Sequence, residues 1–138
     1  MFARIFVPIN LNDASSWSRA LPVAVTLAQA SETHLKLGTI LPHWVSTRDA
    51  DWSWDAARRL EEVAFQRLRS IAKQCGCEDF SLEARWGSVP STIADMAVDA
   101  DLVVMAARKP SFMDFFRTPA GLKVAAAARC SVMMVRDR

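Results

Sequence analysis

The stretch ADLVVMAARKPSFMDFFRTPAGLKVAAAARCSVMMVR, Ala100 to Arg136, decides the fold. It opens on an apolar run, Asp101–Ala106, and closes on another, Ser131–Val135. Between them a basic turn (Arg108, Lys109) leads through mixed residues to Thr118-Pro119. That dipeptide is a helix start, and an alanine-rich segment carries the helix to about Ala128. Strand, helix and strand in this order make a parallel pair with a crossover between its members.

The same alternation runs through the rest of the chain. Further short apolar runs lie at Arg4–Ile9, His34–Leu41 and Ser81–Arg85. Trp17, Leu21, Ala24, Val25 and Ala28 line one face of a first helix, which Pro22 kinks or delays. In the second helix Ala56, Leu60, Val63, Ala64, Leu68, Ile71 and Cys75 form the apolar face, with Arg58, Arg59, Glu62, Arg69 and Lys73 opposite. A third helix opens at Ser88 as N-cap with Pro90 in its first turn. The order βαβαβαβαβ predicts a single α/β domain, a five-stranded parallel open sheet with helices on both faces.

Composition sets bounds on function. A chain of 138 residues is one domain, and 51% hydrophobic with 23% charged residues is ordinary for a globular protein. Net charge of +2 gives no argument for nucleic acid or an anionic membrane. No apolar run approaches the roughly 20 residues of a membrane span, and MFARIFVPIN does not read as a signal peptide, so a cytoplasmic location is expected. The cysteines, Cys75, Cys77 and Cys130, are odd in number, which suits a reducing compartment. Cys75-Gly76-Cys77 reads as a helix end with Gly76 as its cap rather than half of a metal site.

In open α/β sheets ligands bind beyond the carboxyl ends of the strands, where strand order reverses. Those ends carry Asn10–Asp13, Leu41–Val45, Trp86-Gly87 and the segment 107–117. Trp17, Trp44 and Trp86 form a candidate aromatic rim that could stack on a ring, anchor a partner protein, or simply pack over the sheet ends. Catalysis finds little support. Neither His34 nor His43 has a nucleophile placed by spacing, Ser15, Ser16, Ser88 and Thr118 read as helix caps, and Glu61-Glu62 reads as a solvated helix face. No metal motif is present in the sequence.

Four segments in order resemble one family. RIFVPIN is similar to the opening V-P-x-D strand of the universal stress proteins, and WGSVPSTI to their G-x-P segment. ADLVVMAAR resembles their A-D-L-I-V-M-G-x-R strand, and RCSVMMVR their closing C-P-V-L-V-V-R strand. The resemblance implies strand order 3-2-1-4-5, a role in stress response, and a homodimer formed through the last strand. It places candidate ligand contacts at Pro8, Asn10, Ile40, Met105, Ala106, Arg108, Lys109 and Thr118, and candidate dimer contacts at Val132, Met133, Met134 and Val135. A charge at Met133 or Val135 is then expected to give monomers.

The departures from the family pattern concern ATP. Members that bind it carry G-x2-G-x9-G-[ST] after the fourth strand. Here Ala106 stands where a glycine normally follows the strand's methionine, Lys109 and Phe112 occupy the next two glycine positions, and, counting back from Cys130, Thr118-Pro119 falls where the final glycine and hydroxyl residue belong. Asn10 replaces the first-strand aspartate. Glycine cradles work because bare backbone N–H groups can approach phosphate. Pro110 and Pro119 lack that donor, and Phe112 adds bulk. The expectation is a homodimeric binding or regulatory module, not an enzyme, with no cofactor and ATP disfavoured. One alternative is a nucleotide (ATP or AMP) binder using Arg108, Lys109 and the helix start at Thr118. Another is a receptor for a small aromatic or apolar ligand among the tryptophans.

Overall fold

The computed structural model describes residues 2–42, 54–87, 91–107 and 128–136. Five strands, β1 (Arg4–Pro8), β2 (His34–Pro42), β3 (Phe80–Gly87), β4 (Leu102–Ala107) and β5 (Ser131–Arg136), form one sheet in the order β3-β2-β1-β4-β5. Every neighbouring pair is parallel. The expected architecture and strand order are both present, with boundaries moved by one or two residues. The helix expected from Thr118 to about Ala128, and the proposed cap at Ser88 with Pro90, lie outside the described residues.

The central strands are apolar without interruption because both their faces are covered. Ile5, Val7, Leu102 and Val104 join one core cluster with α1 (Ala20–Ala30) and α2 (Trp54–Gln74). Phe6, Val103 and Met105 belong to a second cluster on the other face, with Ile93 and Met96 of the short α3 (Ser91–Met96). Period-two alternation thus feeds two cores from the same two strands. Gly38, opposite Pro8 in the register, is required by the second core. A β-carbon there would fall 2.7 Å from the ring of Phe6 and collide with the Met96 methyl.

Pro22 is the third residue of α1, within the first turn, where an N–H has no intrahelical acceptor, so it sits at the start of the helix and not in its interior. A 3-10 turn, Ala14–Ser16, precedes it; its N-cap is Asp13, whose carboxylate accepts from the Ser15 N–H. Ser15 and Ser16 lie inside that turn rather than capping a helix. The apolar stripe of α2 also differs from expectation. Ala57, Ala64, Leu68, Ile71 and Ala72 are buried, whereas Leu60 is 41% and Val63 52% exposed. At about 100° per residue, Val63 stands roughly a third of a turn from the centre of that stripe. Small alanines let the helix lie close to the sheet, and the larger Leu60 and Val63 are left at its flank.

Both long helices end alike. After α2, Gly76 N–H donates to Lys73 C=O and Cys77 N–H to Ala72 C=O, the paired bonds of a Schellman motif, with Gly76 at φ 74°. After α1, Glu32 N–H donates to Gln29 C=O and Thr33 N–H to Ala28 C=O, with Glu32 at φ 50°. Gly76 is therefore the expected cap. Among the described residues no helix is long and apolar enough to cross a membrane.

The two caps predict opposite responses. Gly76→Ala meets no steric contact yet forces a β-carbon into the left-handed region, and should destabilise the fold by about 1 kcal/mol. Glu32→Gly relieves the same strain and should stabilise by up to about 1 kcal/mol, less the backbone entropy that glycine adds to the unfolded chain. Urea unfolding midpoints check both.

Candidate functional site

Strand order reverses between β1 and β4, and the pairing there is short. β1 pairs with β2 along its whole length, from Arg4 to Pro8, but with β4 only at Ile5–Leu102 and Phe6–Val103. Beyond Phe6 the β1–β4 ladder stops, and Pro8 has no N–H to extend it. The carboxyl ends of β1 and β4 therefore flank a mouth at the switch point, where α/β sheets take ligands.

Three of the expected residues converge on one face of this mouth. Ile40 and Met105 both pack with the second core cluster, and Pro8, two residues after Phe6, lies on that same face. Met105 is buried, and Ile40 and Pro8 are half-buried, which makes an apolar floor across β2, β1 and β4. Ala106 faces the other way and packs against the first cluster. Arg108, Lys109, Thr118 and Trp44 lie outside the described residues.

Asn10 stands exposed at the rim, and its bonds are local. Its Oδ1 accepts the Asn12 N–H at 3.0 Å, and its backbone C=O accepts the Asp13 N–H at 3.0 Å. Ser16 braces the same residue twice, its Oγ accepting the Asn10 N–H at 2.9 Å and donating to the Asn10 C=O at 3.2 Å. Asp13 holds the far side of the loop through the Ser15 N–H and hydroxyl. From α2, Arg67 reaches over and donates to the Leu11 C=O at 2.6 Å. The Asn10 amide oxygen is thus turned into its own loop.

The tryptophans are placed by packing. Trp17 is half-buried against the first cluster, ahead of α1. Trp86 sits on the edge strand β3, two strands from β1, and its Nε1–H donates to Glu61 Oε1 on α2 at 2.8 Å. Glu61 is therefore not part of a solvated face: it ties α2 to the sheet edge. On β5, Met133 and Val135 pack against the first cluster and Val132 against the second, while Met134 is 39% exposed.

Two electrostatic features were not singled out in the sequence. Lys36, mid-strand in β2, meets Glu83 at 2.7 Å, and Arg85 meets the same carboxylate at 2.5 Å. Partial burial opposes ionisation of Glu83, but the two cations outweigh it and hold its pKa below the usual range. A lone lysine in the apolar run HLKLGTI was the signal available for this group. At the other end of β1, slight desolvation of Asp101 is outweighed by the backbone N–H groups of Ala3 and Arg4, and its pKa is lowered. The thiols of Cys75, Cys77 and Cys130 are all pushed up, by burial first, which makes them poor nucleophiles. His34 lies at the opposite end of the sheet from the mouth, its Nδ1 2.9 Å from Asp79. Among the described residues no cluster of histidine, cysteine and carboxylate side chains could hold a metal.

A doubly wound α/β domain with an apolar mouth at the β1/β4 switch point is the class these observations define. Solved structures share the fold: a universal stress protein in complex with cAMP superposes with a TM-score of 0.72 at 19% identity, covering 99% of this chain and 98% of the other. The Archaeoglobus fulgidus universal stress protein in complex with dAMP gives 0.63 at 22%, covering 96% of each chain. An Arabidopsis thaliana universal stress protein family protein with AMP bound gives 0.62 at 14%, covering 99% and 92%. A search of curated proteins gave no match. The universal stress protein family model matches residues 1–136, and the chain belongs to that family.

Arg67 ties the loop after β1 to α2 through the Leu11 C=O. Arg67→Ala should accelerate amide exchange of Asn12, Asp13 and Ser16 several-fold while lowering global stability by about 1 kcal/mol or less, since the bond is exposed. Hydrogen exchange followed residue by residue makes the measurement.

Proposed function

We propose that this chain is a non-enzymatic binding or regulatory module of the universal stress protein family, acting in stress response as a homodimer, and that it does not hold ATP in the pose a glycine-rich loop serves. The observation that supports this most is at Asn10. An aspartate there would bring a negative charge to the rim, whereas the Asn10 amide is neutral; its Oδ1 accepts the Asn12 N–H, as a carboxylate oxygen also would. Lys109, Pro110, Phe112 and Pro119, in place of exposed glycine backbone, point the same way. The raised thiols and the distance of His34 from the mouth support a binding role over catalysis.

A second reading is favoured by the floor of Pro8, Ile40 and Met105, together with the cAMP, dAMP and AMP complexes of structural neighbours. Each of those ligands carries a single phosphate. On this reading the chain takes a nucleoside monophosphate, its base on the apolar floor. Arg108, Lys109 and the helix start at Thr118 then serve one phosphate.

Thermal unfolding with millimolar ATP and Mg²⁺, and in parallel with AMP, separates the readings. Ligand at 100 times its Kd adds about 2.7 kcal/mol, on the order of 8 °C for a domain of this size. No shift with either is expected on the first reading and a shift with AMP on the second. A shift with ATP but not AMP would overturn the proposal that the altered loop gives up triphosphate.

The dimer proposal rests on β5, which pairs with β4 on one side and forms the end of the sheet. Met133 and Val135 pack inward, so a charge at either disturbs the core as well as any interface. Met134 is the cleaner probe. Met134→Lys should give monomers by sedimentation with the circular dichroism of the parent; a dimer that persists unchanged would remove β5 from the interface.

A further inference from the structure

The amino ends of the strands carry a cavity of about 190 Å³, at the pole opposite the β1/β4 mouth. The register builds its floor in two rungs. Arg4 lies across from His34, and Phe6, Lys36 and Ser81 follow in a row over three strands. The turn from α3 into β4 closes one side with Asp99 and Ala100.

Most charges around this cavity are already matched. The Lys36 ammonium meets the Glu83 carboxylate at 2.7 Å, donates to the Met96 C=O at 2.7 Å and lies 5.3 Å from the centre of the Phe6 ring. His34 is held through Nδ1 by Asp79. Two charges of opposite sign are left. The Arg4 guanidinium and the Asp99 carboxylate both line the cavity, and among the described residues neither pairs with the other or with anything else. Asp101 takes the backbone N–H of Arg4, not its side chain. The Ser81 hydroxyl also has no partner among the described residues.

We propose that this cavity binds a small zwitterion of the amino-acid class, its carboxylate on Arg4 and its ammonium on Asp99. Opposite charges that line one space without pairing attract a dipolar molecule at both ends, whereas an ion of either sign gains from one and is repelled by the other. The planar guanidinium matches a carboxylate bidentately, and Ser81 adds a donor on the same floor. The volume lies below the about 300–1,000 Å³ of pockets for drug-sized ligands, which suits an occupant of a few heavy atoms. This site is separate from the mouth and does not depend on what binds there.

The test is an amide-resolved NMR titration of the full chain with glycine, alanine and 4-aminobutanoate, with acetate and ethylammonium as single-charge controls. Saturable shifts at Phe6, Lys36, Ser81 and Ala100 are expected with at least one zwitterion, at least tenfold tighter than either control. Arg4→Gln and Asp99→Asn, both changes at exposed side chains, should each weaken that binding at least tenfold with the melting temperature retained. The proposal is overturned if no zwitterion gives saturable shifts at tens of millimolar, if acetate or ethylammonium binds as tightly, or if either variant binds like the parent.

Discussion

Burial of β1 and β4 on both faces is the constraint from which the remaining structure follows. Ile5, Phe6, Val7, Leu102, Val103 and Val104 are almost fully excluded from water, and each such side chain contributes about 1.5–3 kcal/mol. Against a net stability of about 5–15 kcal/mol for a domain, losing one covering layer would unfold the protein. The helices must therefore divide between the faces. α1 and α2 cover Ile5 and Val7, and α3 covers Phe6. Right-handed crossovers do this when the chain winds outward to β3 and then returns to the other side of β1 for β4.

That return creates the site. Two strands whose connections leave in opposite directions have no crossover above their shared carboxyl ends, and the ladder between them stops after Phe6 and Val103. Apolar residues continue past the last paired rung as Pro8 and Met105, with Ile40 beside them, because the second core extends there. The loop that follows β1 is polar and self-bonded, and Arg67 fastens it to α2. The mouth so formed has an apolar floor and a hydrogen-bonded rim.

Residues legible in the sequence were those whose role is set by local chemistry. Gly76 could be read as a cap because the left-handed conformation excludes most other residues, and Pro22 as a residue that kinks or delays the helix because its ring has no N–H; its place in the first turn of α1 decided between the two. Glu61 could not be read. On a helical wheel it belongs with the charged residues, and only the approach of β3 brings the Trp86 indole within 2.8 Å. Leu60 and Val63 misled for a related reason. Their apolarity marks them as core, but alanines permit the closest approach to the sheet and so determine which way α2 turns.

The sequence by itself determined the class of fold, the two-faced burial of the central strands and the family to which the chain belongs. These depend on periodicity and on segments whose order along the chain is their order in the topology. Tertiary structure alone decided which charges meet. The Lys36–Glu83 pair and the Arg67 contact with Leu11 join residues far apart in sequence, and Arg4 and Asp99, unpaired among the described residues, come to line one cavity. Electrostatic partners are chosen by distances across strands and layers, and those distances exist only once the sheet has closed its register.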